Sequence, residues 1–362
     1  VAGDGAKFRR TLRVIYPLGD SGGRIVLRTE RDWSRDVLPD APEEGGHTFT
    51  FTLESERPFL YVKPCLRVGE ELRFAPGTNK LILMTEPDER PIYPHFLSAP
   101  GGRFAPAIAF DSTRLGREHR IRIYLPPGYS ENVLKRYPVL YMQDGQNLFF
   151  PEEAFAADWQ VDRTVGLLDS MNAIDEFVVV GVYSRDRMAE YTKPGYTAYG
   201  ESLIGEVKPR IDREFRTMPE PERTGVIGSS LGGVVSFFLA WEWPEVFGGA
   251  ACLSSTFGHQ DDLLERVMSE EKRHARFYLD SGWPEDNYEV TVAMAMALVS
   301  RGWVYGRDLL HFAFPLAEHD ERSWGLRLHL PLQLFQGSVR NVSNRVQAAA
   351  EAAAEEKPPP EV

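Results

Sequence analysis

The chain has 362 residues, of which 43% are hydrophobic and 26% charged, the make-up of a folded protein with ample material for a core. Its formal charge of -12 argues against a phosphate-backbone partner and weakly against anionic membranes. No stretch approaches the roughly 20 continuous apolar residues of a membrane-spanning helix.

The opening VAGDGAKFRR lacks the apolar segment of a signal peptide, although a cleaved signal would leave no trace, so localisation stays open. Cys65 and Cys252, the only cysteines, lie far apart in apolar contexts. They are expected as buried free thiols and supply neither a disulfide framework nor a cysteine metal site.

In chain order, the first hundred residues read as strands: RTLRVIY, GRIVLRT, HTFTFTLE, PFLYVKP and NKLILM are β-branched or aromatic runs separated by Gly, Pro and Asp turns. Several alternate with the period of two that half-buries an antiparallel strand. A small all-β sandwich over residues 1–105 is expected, ended by the Pro- and Gly-rich stretch from Pro91 to Pro106. In that unit Trp33 and Tyr61 offer a sugar-binding face, with packing inside the sandwich as the commoner role for such aromatics.

From about Phe110 the pattern changes to strand, loop, helix. Strands are expected at HRIRIYLP, YPVLYMQ, EFVVVGVY, RTGVIG, ARFYLD and LLHFAFP. Helices are expected near Ala157 to Ser170, Leu203 to Phe215, Val234 to Glu242, Gln260 to Glu271 and Glu289 to Arg301, and again after Trp324. This alternation predicts an α/β unit over residues 106–340, with a mostly parallel central sheet and helices on both faces. Residues 341–362, alanine-rich and then proline-rich, read as a frayed tail.

GSSLG, Gly228 to Gly232, matches G-x-S-x-G directly between an apolar strand and a helix. Ser230 takes the central position, on a tight turn that lifts its hydroxyl above the sheet, and Ser229 is the variable residue before it. The alternative is a glycine-rich turn with solvent-facing serines. A serine hydroxyl needs a base, and the base needs an orienting carboxylate. Of the histidines after Ser230, only His319 lies on a loop just beyond the last strand; His259, His274, His311 and His329 fall elsewhere in the pattern.

The acid must follow ARFYLD, within DSGWPEDNYE. Asp286, in the loop before the next helix, is favoured over Asp280 and Glu285; helix capping is its competing role. Oxyanion donors are expected from the backbone N–H groups of Leu231 and of Gln146 in DGQNLF, a segment that is equally adequate as a plain turn. Gln143, Trp159, Arg187, Tyr191 and Trp283 are candidates to line the cleft. Trp159 is as readily a core residue, and the Arg185 to Tyr191 segment as readily an ion-paired loop. No metal-ligand spacing and no dinucleotide loop is present, so no cofactor is expected.

LPPGY, YPVLYMQDGQNLF, SRDRMAEYT, GVIGSSLGG, DSGWPED and EHDERSW together resemble the esterase family of α/β-hydrolases, which includes esterase D-like enzymes, feruloyl and acetyl xylan esterases, enterochelin esterases and the mycobacterial mycolyl transferases. The resemblance runs from about Glu118 to Leu334 and implies an α/β-hydrolase fold. It implies Ser230, Asp286 and His319 as the triad, with Gln146 and Leu231 at the oxyanion site. The β-unit-first order is similar to enterochelin esterases and modular carbohydrate esterases. A serine ester hydrolase acting through an acyl-enzyme on a polar, short-acyl, aromatic or carbohydrate-linked ester is the expectation, with no nucleic acid partner and no membrane insertion. Its competitors are a siderophore-ester hydrolase, an acyltransferase with the same residues, and an inactive scaffold used for binding.

Overall fold

A computed structural model describes residues 8–19, 23–40, 46–85 and 91–337. The tail expected over 341–362 lies outside the described residues. The N-terminal part is all β: β1 (Phe8–Ile15), β2 (Arg24–Thr29), β3 (Asp32–Val37), β4 (Thr48–Ser55), β5 (Phe59–Val68), β6 (Glu71–Phe74) and β7 (Lys80–Leu83). Strands β1 and β4 pair antiparallel, and the other five form a second sheet in the order β3-β2-β5-β6, with β7 also on β5.

The alternation in TFTFTLES buries every second side chain of β4. Phe49, Phe51 and Leu53 thereby share one core with Leu12 and Val14 of β1 and with Ile25, Leu60 and Val62 of the other sheet. Strands β3 and β6 escaped the sequence reading because their residues, DWSRDV and ELRF, are mostly polar and lie exposed on the outer edges.

The rest of the chain builds a nine-stranded sheet from β8 (Arg103–Phe104), β9 (Ile108–Ser112), β10 (Arg117–Leu125), β11 (Val139–Gln143), β12 (Val178–Val182), β13 (Thr224–Ser229), β14 (Gly249–Leu253), β15 (Arg276–Trp283) and β16 (Leu309–Pro315). Its order is β16-β15-β14-β13-β11-β12-β10-β8, with β9 on β10. Strands β11 to β16 run parallel, whereas β8, β9 and β10 add antiparallel pairings, so the sheet is mixed.

The central strands are fully buried because both faces are covered. Val139, Tyr141, Val178, Val180, Val226 and Phe277 face one core, and Leu140, Met142, Val179, Ile227 and Tyr278 face the other. Helix α1 (Val161–Ser170) covers the second face, while α2 (Arg187–Tyr191), α3 (Gly195–Ser202), α4 (Lys208–Glu214), α5 (Leu231–Glu242), α6 (Leu263–Ser269) and α7 (Tyr288–Ser300) cover the first. Helices α8 (Glu321–Arg327) and α9 (His329–Gln336) return to the second.

Three local differences from the sequence reading have physical causes. Strand β14, GAACL, carries too little β-branched character to be read as a strand, yet it sits between β13 and β15. There the backbones leave little room: a Cβ on Gly249 would lie 2.5 Å from the Arg276 carbonyl oxygen. The helix expected from Ala157 begins only at Val161, after Gln160 in a left-handed conformation, because Trp159 N–H is held by the Asn147 carbonyl at 2.8 Å. Strand β15 continues past Asp280 to Trp283, so Asp280 is not the strand's last residue.

The loop between β10 and β11 fastens the two parts. The Glu131 carboxylate accepts from the backbone N–H groups of Phe96, Leu97 and Ser98 at 2.6, 2.9 and 2.6 Å, and from Tyr16 Oη at 2.9 Å. Asn132 Nδ2 donates to the carbonyls of Ile15 and Pro94, both at 2.9 Å. Burial alone would raise the Glu131 pKa, but these bonds outweigh it and lower it. Its contribution to stability is therefore complete above the unfolded value of about 4.3 and is lost as pH falls through the depressed folded value. Glu131→Ala is expected to destabilise the protein by about 1–3 kcal/mol, the cost of donors left unmade, read as a lower urea midpoint at neutral pH. An unchanged midpoint would show that water satisfies those amides equally well.

Candidate active site

At the end of β13 the backbone turns sharply into α5, and Ser230 at the turn has φ 55° and ψ -122°, a conformation disfavoured for a residue with a side chain. Small neighbours permit it: a Cβ on Gly228 would sit 2.2 Å from the Gly232 carbonyl oxygen, and one on Gly233 2.0 Å from Ser255 Oγ. Ser230 N–H donates to the Leu253 carbonyl at 2.9 Å, tying the turn to the end of β14. Ser229 is buried beneath it.

His319 lies between β16 and α8. Its Nε2 is 3.0 Å from Ser230 Oγ and its Nδ1 is 2.7 Å from Asp286 Oδ1. Asp320, the next residue, caps α8 by accepting Ser323 N–H at 2.7 Å, and Trp324 of that helix meets the imidazole edge-on at 5.0 Å. Asp286 is 3% exposed, and its second oxygen accepts from Ser254 Oγ and Gly282 N–H, each at 2.6 Å. Burial would raise this carboxyl's pKa, but hydrogen bonds from His319, Ser254 and Gly282 outweigh it and bring it below the ordinary value.

Asp280, the alternative acid, is fully buried and engaged elsewhere. It accepts from Tyr278 Oη at 2.8 Å and from Arg327 Nε at 3.1 Å, and burial pushes its pKa up to about 6 against the pull of the Arg327 charge. Glu285 points into solvent.

Behind the acid stands a group that the sequence reading missed. Arg327, 3% exposed, pairs with Asp280, lies 3.6 Å from Asp286 Oδ2 and donates to Ser254 Oγ, which also receives Trp324 Nε1–H at 2.9 Å. One signal was available, since Trp324 and Arg327 are three apart and share a helix face. Ser254 carried none, because it follows the unread strand β14.

Leu231 is the first residue of α5 and Gln146 the middle residue of a 3-10 turn, Gly145–Asn147. Backbone N–H groups at such starts have no acceptor within the helix and are available to an anion. The Gln146 side chain is bound to Ser184, accepting its N–H at 3.3 Å. Asp144, with φ 54°, precedes the turn; burial raises its pKa and Arg187, 3.1 Å away, opposes this.

Of the residues expected to line the cleft, three are corrected to buried positions. Tyr191 is fully buried against Tyr199, its hydroxyl accepting from Asp144 N–H at 3.3 Å. Gln143 is buried and accepts the Tyr199 hydroxyl, and Trp159 packs in the core 6.0 Å from Trp324. Arg187 and Trp283 remain accessible, with Trp283 half exposed. The segment read as a loop around Arg187 is helix α2, capped by Asp186, and its Glu190 forms a buried ion pair with Arg117. An imidazole between a serine hydroxyl and a buried carboxylate, with backbone donors nearby, is an arrangement able to make the hydroxyl a nucleophile and to hold a developing oxyanion.

Residues 112–328 match the family described as "Putative esterase". The chain is 30% identical over 184 residues to the uncharacterized protein YbbA of Bacillus subtilis, covering 49% of this chain and 73% of that one. Over 157 residues it is 31% identical to an endo-1,4-beta-xylanase/feruloyl esterase of Xylanibacter ruminicola, covering 41% of this chain and 21% of that longer protein. A ferulic acid esterase structure superposes with a TM-score of 0.56 at 17% identity, covering 65% of this chain and 98% of that one. The enterobactin esterase of Shigella flexneri superposes with a TM-score of 0.55 at 17% identity, covering 91% and 93%. With the elbow, the mixed sheet and this match over more than half its length, the chain belongs to the esterase family, carboxylic ester hydrolases with an α/β-hydrolase-like fold.

Proposed function

We propose that the protein is a serine ester hydrolase that works through an acyl-enzyme, with Ser230 as nucleophile, His319 as base and Asp286 as the carboxylate that orients the imidazole. The observation that carries this reading is the continuous path from Ser230 Oγ through His319 to Asp286, with contacts of 3.0 and 2.7 Å. Ser230 Oγ bonds to the ester carbonyl carbon as its proton passes to His319 Nε2. Backbone N–H groups of Leu231 and Gln146 receive the oxyanion. As the tetrahedral intermediate collapses, the carbon–oxygen bond to the alcohol breaks and His319 returns the proton to the leaving oxygen. Water then repeats the cycle on the acyl-enzyme, releasing the acid and restoring the serine.

For the substrate we infer a polar or aromatic ester, carbohydrate-linked in its natural form. Support comes from the similarity to a protein whose name includes feruloyl esterase and from the mixed character of the accessible residues, Arg187 and the half-exposed Trp283. Phe155 adds an aromatic ring that is 91% exposed. Its backbone N–H is held by Asn147 Oδ1 at 2.9 Å, and Asn147 in turn donates to Glu321, two residues beyond His319, at 3.3 Å.

A fluorophosphonate is expected to label Ser230 and not Ser229; peptide mapping that placed the adduct on Ser229, or no adduct on folded protein, would overturn the assignment. Initial rates on acetyl, butyryl, feruloyl, catecholate and long-acyl esters test the substrate class, and efficient turnover of long-acyl esters alone would sink it.

The two buried aspartates should separate by readout. Asp286→Asn is expected to lower kcat by about 10⁴-fold with a much smaller change in KM, as loss of the orienting carboxylate does in such triads. Asp280→Asn removes the counter-charge of buried Arg327, so its first effect is on stability, about 3–5 kcal/mol, read in a urea midpoint. Collapse of kcat in folded Asp280→Asn beside a nearly active Asp286→Asn would move the acid to Asp280.

A further inference from the structure

A groove of about 620 Å³ lies on the seam between the front β unit and the end of α1. Tyr61 of β5 and Leu81 of β7 are directly paired across the strands and form part of its lining, together with Trp33 of β3. Leu60 and Val62, the neighbours of Tyr61, point into the sandwich core, so Tyr61 stands on the opposite, outer face. Trp33 is 40% exposed and Tyr61 39%, against the packed position that such aromatics usually take. Met171 and Asn172, just beyond α1, complete the lining from the other side.

Two features give the groove a chemistry. Flat aromatic surfaces stand beside hydrogen-bonding groups that nothing else uses: the Trp33 indole N–H, the Tyr61 hydroxyl and the Asn79 side-chain amide have no protein partner among the described residues. The one carboxylate in the lining, Glu30, is already paired with Arg57 at 2.5 Å and accepts Tyr61 N–H at 3.1 Å. Such a surface offers no free charge to an ion. It matches a pyranose ring, which presents an apolar C–H face for stacking and a rim of hydroxyls for hydrogen bonds.

The walls are also held in place. Thr78 N–H donates to the Ser170 carbonyl at 3.2 Å, Asn172 Nδ2 to the Asn79 carbonyl at 3.2 Å, and Lys80 Nζ to Asn172 Oδ1 at 2.9 Å. A groove fixed before binding avoids part of the ordering cost of association.

Helix α1 begins beside the oxyanion turn, where Val161 N–H bonds the Leu148 carbonyl, and ends at the groove. Its ten residues span about 15 Å, so the groove lies about a helix length from that turn. We propose that the groove is a second binding site, for a neutral polysaccharide, with sugar rings stacked on Trp33 and Tyr61. On the reading of the protein as a hydrolase of carbohydrate-linked esters, it would hold a stretch of the polymer remote from the scissile bond and raise the local concentration of esters at Ser230.

Binding can be measured without turnover, using the full chain carrying Ser230→Ala. The probes are soluble arabinoxylan in native affinity gels and xylohexaose in calorimetry, with mixed-linkage glucan and mannan as further polymers. Retardation by at least one polymer is expected, weakened at least tenfold by Trp33→Ala with Tyr61→Ala and largely kept by Tyr61→Phe, which retains the ring. Circular dichroism and a thermal midpoint verify that each variant is folded. The proposal is overturned by no retardation with any polymer, by retardation that survives loss of both rings, or by sedimentation showing that the two substitutions abolish a dimer instead. Turnover of a small aryl ester by the wild-type chain tests the hydrolase reading separately, so either can fail while the other holds.

Discussion

A carboxylate withdrawn from water stays ionised only when its lone pairs are met by donors, and the candidate site depends on meeting that condition at Asp286. One oxygen faces His319 and the other takes Ser254 Oγ and Gly282 N–H. Ser254 in turn belongs to a set that includes Trp324, Arg327 and Asp280, so the ends of β14 and β15 and one face of α8 converge on a single anion. Because Asp320 caps α8, the helix that brings Arg327 behind Asp286 also sets the direction of the His319 loop in front of it. The two carboxylates share these donors but differ in depth: burial raises the pKa of Asp280 in spite of Arg327 and Tyr278, whereas at Asp286 the hydrogen bonds from His319, Ser254 and Gly282 outweigh burial and lower it.

The same economy of fixed donors joins the front β unit to the rest. Glu131 and Asn132, adjacent on one loop, reach the chain between residues 92 and 98 and the end of β1, while Asn172 and Thr78 make the second attachment at the far end of α1. Two separated attachments resist rotation better than one. They also explain why a groove with firm walls exists on the seam, where two independently tumbling units would leave only a changing gap.

Much of this was legible because strong local signals coincide with strong structural demands. Period-two alternation marked β4, the apolar runs marked β11, β12 and β13, and the elbow pentapeptide with chain order pointed to Ser230 and His319 and narrowed the acid to Asp280, Glu285 and Asp286, of which Asp286 is the one that meets His319, at 2.7 Å. What escaped was set by contacts distant in sequence. Strand β14, GAACL, carries no β-branched residue, and at Gly249 the Arg276 carbonyl of the neighbouring strand leaves no room for a Cβ, so the composition by which strands are recognised is weak. Tyr191 and Gln143 carry polar groups that suggest a cleft, but in the fold buried protein groups meet them: Tyr191 meets Asp144 N–H and Gln143 meets the Tyr199 hydroxyl. Cys65 and Cys252 are buried free thiols, as their apolar contexts suggested.

Arg187 shows why a choice between a substrate-facing and a structural role can be a false one. Its guanidinium lies 3.1 Å from buried Asp144, whose left-handed backbone starts the Gly145–Asn147 turn, and it donates to the Ser229 carbonyl at 3.3 Å, one residue before Ser230. It thus ties the turn that carries Gln146 to the elbow that carries Leu231. In the proposed hydrolase the relative position of those two N–H groups is what an oxyanion would sense, and a shift of a few tenths of an ångström in either weakens a charge-assisted hydrogen bond. The side chain nevertheless keeps 39% of its surface exposed, so part of it is not committed to Asp144 or Ser229. A residue placed in this way joins two loops that are distant in sequence, because a shift of the guanidinium pulls on Asp144 and on the Ser229 carbonyl together.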